Sequence, residues 1–397
     1  MCCSGRTWLT FLTAWAVVVA ALFQLYGRPL LQLGGRSREI TALGNAKCRR
    51  DKSLQACEKI VLHEPTGLIY LACSTPHRRT LWLPTAGNLN KTGARHDYIA
   101  VYNPATESAT RLPLVRFNPS DDLKDGTGLS VLGLDVVTSA ANEHEILVYV
   151  VNHRPPLGDA WVWGPDTAVE IFKGEAGGKK LEHVATVRDP LIGLANDVLG
   201  SPDGKSFYIT NQPRTMGSFK RAWHIITGLA RTTVTHCRVD EGCKTAARNV
   251  AFSNGIARGT QGEIYVSSTY TSQIYVFEAQ ADDTLILNDM IPIGGGGLDN
   301  LSVDKDGAVY VAEYPKVFST NLQYLADPFH KKAPSAVLRI SLNEDESSYF
   351  GQKYNVEKIF EDDGKLASGI TTAVFDKERN RLFMHGVAST AFVHCDL

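Results

Sequence analysis

The sequence predicts an all-β protein, a six-bladed β-propeller with a few inserted helices, carried behind an amino-terminal hydrophobic anchor helix. Three observations predict it: a hairpin pattern recurs six times, helical patterns are rare, and one charge-free run stands near the amino terminus. Each repeat has a short apolar strand, a polar or glycine-containing turn, and a second strand. They read EKIVLHEPTGLIYLAC from Glu58, LGLDVVTSAANEHEILVYVVNH from Leu132, NDVLGSPDGKSFYITN from Asn196, NGIARGTQGEIYVSST from Asn254, GLDNLSVDKDGAVYVAEY from Gly297 and ITTAVFDKERNRLFMHGV from Ile370. The second strands share the cores IYL, VYV, FYI, IYV and LFM. A third strand follows nearby, as in SQIYVFEA at 272–279 and AVLRISL at 336–342. The clearest helical pattern, at 218–234, is amphipathic and reads as a lid inserted between repeats.

The run at 8–26 holds 19 residues without a charge. That is close to the roughly 20 apolar residues that span a bilayer and longer than a secretory h-region of about 7–15. The reading is an uncleaved signal anchor, with a cleaved signal peptide as the alternative; both deliver the body to a secretory lumen. Residues 1–39 are then anchor and linker, and 40–397 the propeller. Cys2 and Cys3 would face the cytosol, where palmitoylation is an option.

The chain is 44% hydrophobic with a formal net charge of -1, so a sizeable core is available and no basic face for nucleic acid is expected. Six of the eight cysteines lie in the body, which in an oxidising compartment allows three bridges. Cys237 and Cys243 bound a short polar loop and are expected to close it. Cys48 and Cys395 bracket the body, so their bond would tie first strand to last. Cys57 and Cys73 either pair across a hairpin or stay as buried thiols. Asn90-Lys-Thr92 is the expected glycosylation site, whereas Asn300-Leu-Ser302 is expected to be buried.

In a propeller the innermost strand of each blade runs beside the central channel. Its opening residue points towards the axis. Four of the six openings carry oxygen donors: Glu58, Asn196 with Asp197, Asn254, and Asp299 with Asn300. Asn and Asp before strands commonly close turns on their own backbone. A set in register, with a glutamate included, instead suits calcium, which takes six to eight oxygen ligands. The thiolates and imidazoles that zinc favours are missing from the set.

At these residues the chain resembles the paraoxonase/arylesterase family, calcium-dependent six-bladed propellers that hydrolyse lactones and aryl esters. The resemblance runs from about Cys48 to Leu397. It rests on AND at 195–197, NGI at 254–256, LDNLSVD at 298–304, VVNH ending at His153, and the terminal HCDL. It implies an uncleaved leader, a Cys48–Cys395 bond, and a catalytic calcium on Glu58, Asn196, Asn254, Asp299 and Asn300. It also implies a second, structural calcium that needs Asp197 and an acid directly after Glu58, where this chain has Lys59. Of the family's histidine pair, His153 is matched, but Leu132 stands where the other would be. Leucine takes no proton, so His153 also reads as a hydrogen-bonded structural residue.

The candidate catalytic residues are accordingly Asp299 and Glu58 as proton acceptors, with His153 beside them. Phe252 and Tyr314, with Leu132, are candidate walls of a pocket for a small lactone or ester. The competing readings are a weak or inactive calcium-stabilised binding module and, last, a metal-free propeller of the strictosidine-synthase-like type. No G-x-S-x-G nucleophile elbow occurs, and GGGG at 294–297 lacks the βαβ context of a dinucleotide site.

Overall fold

The computed structural model describes residues 4–118, 128–213 and 231–397. Six blades of four antiparallel strands stand around one axis, as the repeats predict. Their inner strands are Cys57–His63, Val131–Ser139, Leu194–Gly200, Ser253–Arg258, Gly297–Val303 and Thr372–Asp376. Each adjoins the next in chain order, and the sixth returns beside the first. Leu114–Val115 adds a short parallel edge to the second blade.

The aromatic residue repeated in the second strands explains how blades pack. Each reaches the blade that follows. Tyr70 accepts from the Gly177 N–H, and Tyr149 packs at a tilt against Phe207 with ring centroids 6.0 Å apart. The Tyr208 hydroxyl donates to the Asp283 carbonyl, and Tyr310 stacks on Phe375. Tyr265 is buried among residues of the fifth blade, and Phe383 among those of the first. Each ring buries apolar area between blades, and the hydroxyls of Tyr70, Tyr149, Tyr208 and Tyr310 keep a polar partner.

The last blade is completed by the strand Cys48–Asp51, which pairs with Phe392–Asp396 in register Cys48↔Cys395. That pair is a disulfide spanning 347 positions. Cys237–Cys243 is bonded as expected, and Cys57–Cys73 is bonded across the first hairpin, which decides between bond and thiols.

The helical run Trp8–Gly34 is long and apolar enough to cross a membrane, and Cys2 and Cys3 lie outside the described residues. Its far end is not detached from the body. Leu33 is buried against Tyr314 and Val317. Arg38 makes two bonds to Glu313, of 2.6 and 3.1 Å. The expected boundary at 39/40 thus falls beyond residues that pack on the fifth blade. The lid expected over 218–234 lies outside the described residues up to 230, and its last residues open the strand Arg231–Arg238. Asn90 is exposed, and Asn300 is buried as expected.

Candidate functional site

The expected ligand positions do not open the inner strands; they stand one to three residues inside, on β-bulges. In the third blade Ala195 faces Asn211 and Val198 faces Ile209, so Asn196 and Asp197 together oppose Thr210. The same offset sets Asn254 and Gly255 against Ser267, and Asp299 and Asn300 against Ala312. Glu58 is the extra residue of the first blade, and Leu132 with Gly133 occupies the equivalent step of the second. A bulge re-aims side chains that a regular strand would alternate between its faces. The sixth inner strand is regular and supplies no such residue.

The bulges of neighbouring blades interlock. A Cβ at Gly133 would stand 2.5 Å from the Asp197 Cα, and one at Gly255 would stand 2.6 Å from the Asn300 Cα. Only glycine admits that approach of backbone to backbone. Thr210 accepts from the Asp197 N–H and donates to the Asn254 carbonyl. Ser267 likewise accepts from the Gly255 N–H and donates to the Asp299 carbonyl at 2.6 Å. Thr371 of the last blade accepts from the Asn300 N–H through its carbonyl and donates from its hydroxyl to the Glu58 carbonyl, linking the fifth blade to the first. Sequence reasoning missed these hydroxyls. Their signal was partial: Thr210 stands opposite Asn196-Asp197 and Ser267 opposite Asn254-Gly255, whereas Ala312 stands opposite Asp299-Asn300.

Glu58, Asn196, Asn254, Asp299 and Asn300 are all buried at the floor of one cavity or directly beneath it. Four of the five keep part of their polar group engaged. Asn300 Nδ2 donates to Glu58 Oε1 at 2.7 Å, Asn254 Nδ2 donates to Thr269, and the Tyr314 hydroxyl donates to Asp299 Oδ2. Each of the five leaves one oxygen without a partner: Glu58 Oε2 and the Oδ1 atoms of the other four. Among the described residues these five are the buried side-chain oxygens in that condition. An unpartnered buried acceptor costs about 1–3 kcal/mol, so these five are the residues that could hold a cation.

Electrostatics point the same way. Burial pushes the Asp299 carboxyl up to about 7, and burial with the charges of Asp299 and Asp197 pushes Glu58 well above the usual carboxylate range. A nearby positive charge, alongside their hydrogen bonds, would stabilise such groups as anions. The donors are all oxygen and include two carboxylates, a set that fits a hard divalent ion. No cluster of three His, Cys, Asp or Glu spaced for a metal occurs among the described residues, because three of these five donors are amides.

The cavity above has a volume of about 570 Å³. Leu132, Tyr314, Tyr270, Phe318, Leu322 and Leu325 give it a largely apolar wall. Phe318 to Leu325 come from a helical turn inserted between the second and third strands of the fifth blade. That insertion was not placed from the sequence. Phe252 stands one layer behind the wall, edge-on to Tyr270 with centroids 4.7 Å apart. His153 is buried outside the cavity lining, its Nδ1 3.1 Å from the Thr167 hydroxyl. Burial pushes its imidazole down to about 3, so it is neutral at physiological pH. Asp197 lies below the ring with both oxygens engaged, one by Lys59 and Ile256 and the other by Val198.

The Arylesterase family model matches residues 127–397. The chain belongs to the Arylesterase family. It is similar to serum paraoxonase/arylesterase 1 of Homo sapiens, 25% identical over 79% of this chain and 84% of the relative. The Rattus norvegicus protein of that name is 23% identical over 91% of each. Serum paraoxonase/arylesterase 2 of Rattus norvegicus is 24% identical over 66% of this chain and 68% of its own. Among solved structures, a gluconolactonase from Xanthomonas campestris has 14% identity over 90% of this chain and 94% of its own, with a TM-score of 0.49. The calcium-binding protein regucalcin from Agrobacterium tumefaciens has 12% identity over 90% and 94%, with a TM-score of 0.48. Membership of the Arylesterase family supports a hydrolase acting on esters. Its disulfides and apolar leader are consistent with a secretory or membrane location.

Proposed function

We propose that this arylesterase-family protein is a calcium-dependent hydrolase of lactones or aryl esters, with Glu58, Asn196, Asn254, Asp299 and Asn300 holding one calcium ion. The observation that carries the reading is the convergence of five buried, unpartnered oxygens beneath an apolar cavity. When bound, calcium supplies a Lewis acid that polarises a carbonyl and offsets the charge developing on its oxygen.

The chain's own residues do the rest. The apolar wall binds the acyl or alkyl part of the substrate and excludes bulk water. Tyr314 fixes the Asp299 carboxylate through Oδ2, so that Oδ1 faces the ring. Asp299 or Glu58 takes the proton of the attacking water, since Leu132 offers no base and His153 stands outside the cavity. General-base assistance is typically worth 10²–10⁴-fold, so a carboxylate in place of a histidine pair lowers the rate without removing it. The leader anchors the body to a membrane, and Asn90 carries a glycan.

The test is hydrolysis of an aliphatic lactone and of phenyl acetate by the full chain in detergent. Chelation and Asp299→Ala should each abolish turnover, and Tyr314→Phe should weaken calcium binding by roughly 10–100-fold. Turnover indifferent to chelation would overturn the mechanism. Calcium that raises the melting temperature without any turnover would favour the second reading, a binding module, for which Leu132 at the cavity floor is the supporting observation.

A further inference from the structure

We infer that the Lys59 ammonium is a resident cation of the propeller tunnel, filling with a side chain the place of a second metal ion and tying four blades at one point. Lys59 and Asp197 are both buried, at 4% and 0% exposure. The Lys59 Nζ donates to Asp197 Oδ2 at 2.6 Å and to the Leu301 carbonyl at 3.2 Å. Asp197 Oδ2 accepts a further bond from the Ile256 N–H at 3.0 Å. Lys59 belongs to the first blade, Asp197 to the third, Ile256 to the fourth and Leu301 to the fifth. No other contact of the tunnel joins so many blades among those described above.

The position of the pair explains its role. Glu58 lines the upper cavity, whereas the adjacent Lys59 lines a separate cavity of about 260 Å³ on the far side of the bulges. Asp135 of the second blade lines that lower cavity too. Several carboxylates thus crowd one low-dielectric channel, and each buried anion needs a counter-charge. In the upper ring the oxygens stay unpartnered, as a cation site requires. Below it, both Asp197 oxygens are already bonded, and an ammonium stands where a dication would have to sit. Lysine has three donors and no lone pair to offer while charged, so it repels a metal and cannot ligate one. A second calcium, which needs an acid directly after Glu58, does not fit the residues present.

This inference is independent of hydrolysis and is tested by binding and melting. Calcium per chain is counted by equilibrium dialysis and elemental analysis on full-length protein in detergent, stripped and then reloaded. Wild type should take up no more than one ion, and Lys59→Asp one more than wild type, with a melting temperature newly dependent on that ion. Lys59→Met should melt about 5 °C or more below wild type with or without calcium, because Asp197 loses its counter-charge. Lys59→Arg should recover part of that loss, which guards against Lys59→Asp failing to fold. Two ions bound to wild type, or Lys59→Met melting within about 1 °C of it, would overturn the inference. A wild type that binds none would count against the upper site alone, leaving the melting series to decide on Lys59.

Discussion

His153 shows what a single side chain does when its surroundings, and not its identity, set its chemistry. The motif VVNH marks it as a candidate base, yet it is buried and bonded to Thr167. Its imidazole is held at about 3 by burial, and that of His385, also buried, at about 4. Both values lie below the 6.5 of an exposed histidine, so the folded state excludes protons that the unfolded chain takes up. Their contribution to stability is complete above about pH 6.5 and is lost as pH falls towards 4 and 3. Urea titrations across that window should show stability falling with acid, and His153→Gln should flatten the slope while leaving hydrolysis within about threefold of wild type, less than a general base is worth. A rate loss of a hundredfold or more would restore His153 to the chemistry. The residues proposed as ligands stood out in the sequence because an acid or amide beside an apolar strand gains nothing from packing. The environment of His153 did not, since burial arises from blades far apart in the chain.

At the level of the element, the bulge is the device that turns a repeat into a site. The doublets Asn196-Asp197, Asn254-Gly255 and Asp299-Asn300 are plain in the sequence, but the offset that makes them bulges belongs to strand register. Register is fixed by pairing, which a single strand does not record. This is why the sequence reading placed the donors at strand openings. The inserted turn that walls the cavity was hidden for a similar reason, because a loop's position depends on the blades that carry it. Ser267 tests the device directly. Ser267→Ala leaves the Gly255 N–H without its acceptor, at a cost of about 1–3 kcal/mol, and frees the Asp299 carbonyl from its neighbour. We expect a lower melting temperature together with weaker calcium binding in isothermal titration. A fall in melting temperature alone would show that bulge and ligand geometry are uncoupled.

The whole molecule is a ring whose last blade borrows a strand from before its first. The six hairpins made the ring legible, and the Cys48–Cys395 pairing made its closure so, because both are written as residues. The seating of the leader was not, since Leu33 and Arg38 find Tyr314 and Glu313 only once the fifth blade exists. Closure by strands so far apart has a consequence in time. Cys57 meets Cys73 across 16 positions and Cys237 meets Cys243 across 6, whereas Cys48 waits on a partner 347 positions away. Short loops close sooner than long ones. Oxidative refolding quenched with an alkylating agent should therefore accumulate a species with two bonds in which Cys48 and Cys395 carry the label; equal labelling of all six at every time would contradict this order. Until that final thiol pair is spent, the first cysteine of the propeller remains an open handle, available to an isomerase and to the wrong partner alike.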